Sequence, residues 1–160
     1  MSEAKRAPGA TRLVPVDNRN RVGVLKLRVK TDQLGLVAST AKSLRQAEEK
    51  PHLVPRAFVE DGRVVGFAMY DRLPDGSAYV WRVMIGEDDQ GRGLGRLLMD
   101  AVVGEIRVLG AKKIRISHRP ENRVAAHLFE EFGFEEVDFE LDGEVIRELW
   151  LGPKPPEAKL

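Results

Sequence analysis

The stretch that most constrains this chain is residues 77–109, where three glycines stand at alternate positions between a β-rich run and a helical stripe. Val80, Val83 and Ile85 lie among aromatic residues in a short run bounded by Gly76 and Gly86, the pattern of a strand. After it, Leu94, Leu97, Leu98, Val102, Ile106 and Leu109 recur at three- and four-residue steps, which predicts one face of a helix. Gly91, Gly93 and Gly95 in between permit positive φ and let another group approach the backbone. Loop N–H groups and the positive end of the following helix then converge on one place. Such a geometry binds an anion, most often a phosphate. Arg92 and Arg96 add fixed positive charge beside it.

Two other phosphate loops do not match. A P-loop closes on Lys followed by Ser or Thr, whereas this one closes Gly95-Arg96-Leu97. A dinucleotide fingerprint spaces its glycines G-x-G-x-x-G and opens a βαβ unit near the start of a domain; here the spacing is G-x-G-x-G in mid-chain. The run Gln90-Gly91-Arg92-Gly93-Leu94-Gly95, directly after a strand, resembles the Q/R-x-x-G-x-G/A motif of the GNAT acetyltransferase superfamily. The resemblance implies a loop that holds the pyrophosphate of acetyl-coenzyme A.

The rest of the chain sets bounds. Its 160 residues suit one domain with a single core. A formal net charge of +1 gives no reason to expect nucleic acid as the main partner. The absence of cysteine excludes disulfides, thiolate metal sites and a cysteine nucleophile, and no metal site is expected. Residues 1–12 lack the apolar segment of a signal peptide, and no apolar run approaches the roughly 20 residues of a membrane span. A cytoplasmic protein with no membrane partner is the expectation. Residues 1–11 are expected to be a mobile tail, residues 12–151 the domain, and residues 152–160 a loose tail with three prolines.

In chain order, residues 12–16 read as a strand and 18–29 as a helix capped by Asp17 or Asn18. Ser39 or Thr40 caps a second helix through Glu49, stopped by Pro51. Residues 56–60 and 63–71 flank Asp61-Gly62, a two-residue hairpin signal, and Asp75-Gly76 turns into the strand at 77–86. Residues 113–117 form a fifth strand, parallel to the fourth because a helix connects them. A helix over 122–132 ends at Gly133, and two last strands, 134–141 and 145–151, turn at Asp142-Gly143.

This order is similar to that of a GNAT domain over residues 13–151. The implied fold is α+β in three layers: a mixed central sheet of about seven strands, splayed between strands four and five, with helices on both faces. Asn122 to Phe129 with Gly133-Phe134 resembles the family's N-x-x-A-x-x-L-Y and G-F segment. Thr31-Asp32-Gln33, Ser43 to Ala47 and Val65 to Tyr70 resemble bacterial diamine or spermidine N-acetyltransferases. By that resemblance, backbone groups of Val83, Met84 and Ile85 pair with the pantetheine arm like another strand. Gln90, Gly91, Arg92, Gly93, Leu94, Gly95 and Arg96 hold the pyrophosphate, and Asn122 bonds the pantetheine or the strand-end backbone.

The implied reaction is attack of a primary amine, with a polyamine favoured, on the acetyl thioester. An alkylammonium with a pKa of about 10.4 must first lose a proton. In the family a tyrosine four residues before the G-F pair protonates the departing thiolate; here that position is Phe129, which cannot. His118, at the end of strand five, is the candidate relay, weighed against an exposed strand-end histidine. Tyr70 and Tyr79 are expected to line the acceptor entrance or to pack. Asp32, Glu48, Asp71 and Asp75 are candidates for an acidic acceptor pocket, weighed against solvated surface charge. Protein N-termini, lysines and aminoglycosides remain open as acceptors, and a homodimer is a family expectation. A non-catalytic acyl-coenzyme A sensor is the alternative, and Phe129 favours it.

Overall fold

Strand alternation divides this molecule into two cores. Along residues Arg63–Arg72 (β3), Phe67 and Met69 point to one side, and Ala68 and Tyr70 to the other; all four are buried. A strand covered on both faces carries an apolar run with no solvent side, and β3 sits near the middle of its sheet. The computed structural model describes residues 5–30 and 38–156, with 138–141 described as backbone alone.

The other strands are Thr11–Pro15 (β1), Val54–Glu60 (β2), Ser77–Ile85 (β4), Lys113–His118 (β5), Glu135–Leu141 (β6) and Glu144–Trp150 (β7). They form one seven-stranded sheet in the order β1-β2-β3-β4-β5-β7-β6. All neighbours are antiparallel except β4 and β5. The hairpin turns have positive φ at Asp61 and Gly62 (48° and 83°) and at Asp142 and Gly143 (52° and 76°), which suits the right-handed twist of the flanking strands. Pro55 is tolerated in β2 because β1 stops at Arg56, leaving Pro55 an edge residue on that side.

Residues Leu94–Val108 (α3) and Arg123–Glu131 (α4) cover one face; residues Arg21–Lys26 (α1) and Thr40–Glu49 (α2) cover the other. The α3 stripe buries Leu94, Leu98, Met99, Val102, Val103 and Ile106. Leu109, expected on that face, lies past the helix end and is 39% exposed. Ser39 caps α2, its hydroxyl accepting from Lys42 N at 3.1 Å. The first helix is shorter than expected. Asp17 caps a turn instead, accepting from Arg19 N and Asn20 N, and the chain is extended again at Leu27.

The N-terminal segment, expected to be a free tail, is bonded over its described residues. Gly9 N donates to Glu60 Oε2 at 2.9 Å, and Arg6 pairs with Glu60 Oε1 at 3.1 Å. No helix among the described residues is long and apolar enough to cross a membrane.

Candidate active site

Two strands that begin as partners separate here, and the space between them is the site. β4 pairs with β5 only from Ser77↔Lys113 to Val80↔Ile116. Beyond that, β5 stays with β7 and β4 stays with β3. The parting follows a bulge: β3–β4 register passes from Met69↔Arg82 to Tyr70↔Val80, so Trp81 is the extra residue. A bulge bends its strand and raises the local twist. It therefore turns residues 81–85 away from β5 and leaves their backbone edge open to a ligand.

Two cavities open from this fork. The first, about 580 Å³, is lined by Val83, Met84, Ile85, Gln90, Gly91, Gly93, Leu94, Gly95, Arg96 and Asn122 among others. Sequence analysis singled out each of these residues. The side chains of Val83, Met84 and Ile85 also pack into the cores. The second cavity, about 730 Å³, holds Asp71, Tyr79, Trp81, Arg82, Ser117 and His118 on its walls. Val83, Asn122, Ala125 and Phe129 line both cavities, so the two meet at the fork.

The loop lines the first cavity with Gly91, Gly93, Leu94 and Gly95. Gly91 and Gly93 have φ of 79° and 82°, which any side chain would strain. Gly93 starts α3 with no side-chain cap, so the first-turn N–H groups have no such acceptor. At Gly95 a Cβ would make only ordinary contact, 3.5 Å from Leu128 Cδ2. Protein packing does not demand glycine there; the open wall of the cavity does. Gln90 Nε2 donates to Ile85 O at 2.9 Å, and Glu87 N to Arg28 O, which pins the β4 end of the loop. Val124, 68% exposed, and Leu128 give the opposite wall an apolar surface. Asn122 caps α4, Oδ1 accepting from Ala125 N at 3.2 Å. This geometry fits a long ligand with an anionic middle and an extended, strand-like arm.

Two sequence expectations need correction. Arg92 does not turn its charge toward the cavity. Its guanidinium is buried, with Nη2 2.5 Å from Glu60 Oε2, Nη1 2.8 Å from Asp89 Oδ1 and Nε 2.8 Å from Arg6 O. A buried arginine needs anionic partners, and Glu60 and Asp89 supply them. The Arg92 guanidinium in turn holds the Glu60 carboxyl down to about 2. Arg96 stays at the rim, bonded to Glu131 at 2.6 Å.

His118 is neither an exposed histidine nor an open base. It is 5% exposed. Arg147 Nε can only donate, so His118 Nε2, 3.0 Å away, accepts. Nδ1 then carries the proton toward Arg119 O at 2.9 Å. Both nitrogens are engaged.

Of the described acidic candidates, Asp71 alone lines the second cavity. Glu48 pairs with Arg21 on the surface, and Asp75 accepts from Ser77 N and Oγ in its turn. Asp32 lies outside the described residues. Tyr70 packs on the α3 face, its hydroxyl bonded to Glu105. Tyr79 donates into or accepts from Ser117 Oγ at 2.7 Å. Trp81, Arg82 and Ser117 escaped sequence analysis, since they read as ordinary strand alternation and only the bulge brings Trp81 and Arg82 to one side.

Residues 10–134 match the acetyltransferase (GNAT) family. The spermine/spermidine N(1)-acetyltransferase of Bacillus subtilis is 32% identical over 145 residues, covering 84% of this chain and 95% of that protein. The chain belongs to the GNAT acetyltransferase family. The ribosomal protein bS18-alanine N-acetyltransferase of Haemophilus influenzae is 28% identical over 111 residues, 59% of this chain and 75% of that protein. The PaiA N-acetyltransferase of Thermoplasma acidophilum, solved in complex with coenzyme A, matches this GNAT fold with a TM-score of 0.71 at 12% identity, covering 88% of this chain and 99% of that one. Phe129 is 5% exposed, packed against His118 and Phe134.

Proposed function

We propose that this GNAT domain moves the acetyl group of acetyl-coenzyme A to a primary amine by direct attack on the thioester. One observation carries the reading: two cavities, one at a glycine-rich loop and one with a buried carboxylate, meet at Val83, Asn122, Ala125 and Phe129. Acetyl-coenzyme A supplies the acyl thioester. The loop amides from Gly91 to Gly95 are the groups to hold its pyrophosphate, and the open edge of residues 81–85 its arm. An N–H on that edge draws charge onto the carbonyl oxygen as the amine approaches.

The amine nitrogen forms a bond to the carbonyl carbon and the C–S bond breaks. An ammonium gives up two protons in becoming an amide; one ends on the thiolate and the other in solvent. With Phe129 in place of tyrosine and His118 engaged on both nitrogens, neither side chain supplies the acid. A thiol pKa of about 8.5 makes the thiolate a fair leaving group without one. Partial burial in the second cavity favours the neutral, attacking amine.

The name of the Bacillus subtilis relative supports a polyamine acceptor. The name of the Haemophilus influenzae relative supports a protein N-terminus as the competing acceptor. A cytoplasmic location and a homodimer belong to the same reading. Dimerisation has a route in the outer edges of β1 and β6. A non-catalytic acyl-coenzyme A sensor is the second reading, and Phe129 favours it.

The test is free-thiol release from acetyl-coenzyme A across an amine panel that includes spermidine and putrescine, with calorimetry of coenzyme A binding alongside. Amine-dependent release is expected. Heat of binding with no release under any amine selects the sensor, and no heat at all rejects both readings.

A further inference from the structure

The second cavity contains an anomaly of hydrogen bonding. Among the described residues, three buried side-chain atoms have no partner: Asp71 Oδ1, Trp81 Nε1 and Arg82 Nε. All three residues line this one cavity. Buried polar atoms in a folded protein are nearly always paired, so three orphans around one space indicate a missing ligand. Asp71 is 3% exposed, and its other oxygen lies 3.7 Å from His52 Nε2, too long for a hydrogen bond.

The orphans are of two kinds. Asp71 offers an acceptor; Trp81 and Arg82 offer donors. Among the described residues, Arg82 bonds to neutral oxygens, Trp81 O at 2.6 Å and Gln46 Oε1 at 3.2 Å, and no carboxylate there reaches ion-pair distance of it. Burial pushes its guanidinium below the usual value, with Glu144 acting from farther off. The bulge is what sets the donors side by side. Trp81 packs with the α2-side core, and Arg82 also reaches Gln46 of α2, although the two are consecutive. Two adjacent N–H donors, one cationic, match the two oxygens of a carboxylate.

The charges agree. Among the described residues, the walls carry Lys42, Arg82 and Arg119 against Asp71, Asp142 and Glu144. A cavity for a polycation would be acidic on balance, because an arginine repels each ammonium; the described walls are even. Arg82 adjoins Val83 at the fork and faces Met69, two residues from Asp71, which is roughly 7 Å at the strand rise. That is about the reach of an ornithine or lysine side chain.

Resting on the acetyltransferase reading above, we infer that the acceptor is a free basic amino acid. Its carboxylate docks on Arg82 and Trp81, its amine reaches the fork, and its second ammonium docks on Asp71. The inference adds a carboxylate requirement that a simple diamine does not meet.

Matched pairs differing only in that carboxylate test it: lysine against cadaverine, and ornithine against putrescine, each assayed for thiol release. The wild-type protein should favour the amino acid by roughly 10–100-fold in kcat/KM. Arg82→Gln should abolish the preference by raising KM for the amino acid, and Arg82→Lys should restore part of it. If the diamines turn over as well as the amino acids in the wild type, the inference falls and the acetyltransferase reading stands. If no amine releases thiol, both fall.

Discussion

Arg92 shows how one side chain can serve a ligand site by avoiding it. Placed between two loop glycines, it has its backbone in the glycine-rich turn and its guanidinium in a buried cluster with Glu60, Asp89 and the Arg6 carbonyl. The loop is thereby fastened to the β2–β3 hairpin. The cluster also makes stability depend on acid. Glu60 has its carboxyl lowered from 4.5 to about 2, with the Arg92 hydrogen bond the largest cause. A lowered carboxylate stabilises the fold above its unfolded value, and that contribution is lost as pH falls from about 4.5 toward 2. Thermal melts of wild type across this range should show a falling Tm. Glu60→Gln should melt lower at pH 7, because Arg92 is left underpaired, and should lose part of the acid dependence. Equal slopes in both proteins would mean that Glu60 is not the titrating group. The charge of Arg92 beside a glycine loop was legible in the sequence; its direction was not, because Glu60 lies 32 positions away. The same holds for His118, whose hydrogen-bond donor Arg147 comes from another strand.

Among elements, the strand–loop–helix was the most legible, since each part rests on local chemistry: apolar alternation, positive-φ glycines, a helical stripe. Gly93 has φ +82° and open space around it, so an added methyl meets only backbone strain. Gly93→Ala should cost about 1–2 kcal/mol and, where the strain is relieved by moving the loop, weaken coenzyme A by about 5–30-fold. Gly104 is the control. It lies inside α3, with no atom within 4 Å of a built Cβ. Gly104→Ala should stabilise by about 0.4–1 kcal/mol with coenzyme A affinity unchanged. Calorimetry on both variants decides, and equal losses would mean that the loop conformation does not matter. The first helix was less legible. Its apolar spacing continues to Val29, yet the helix stops at Lys26. Residues past it are drawn to the site, where Arg28 O takes the Glu87 amide and Val29 joins the first cavity wall. Tertiary bonds there outweighed local periodicity.

On the scale of the whole molecule, the parallel β4–β5 pair and its parting at Val80 organise everything else. The parallel pairing follows from the helical crossover and was foreseeable. The insertion of β7 between β5 and β6 was not, because nothing local distinguishes the inner strand of the last hairpin. Nor was the bulge, whose cause is a mismatch of count between two distant strands. Yet that extra residue has a practical consequence. The chain holds two tryptophans. Trp150 lies under the Lys113 ammonium beside the start of β5, whereas Trp81 lines the second cavity. In a Trp150→Phe protein the emission comes from a single indole whose N–H waits for a partner, so the enzyme should report amine occupancy by its own light. A spectrum unmoved at saturating amine would put the acceptor somewhere other than beside the bulge.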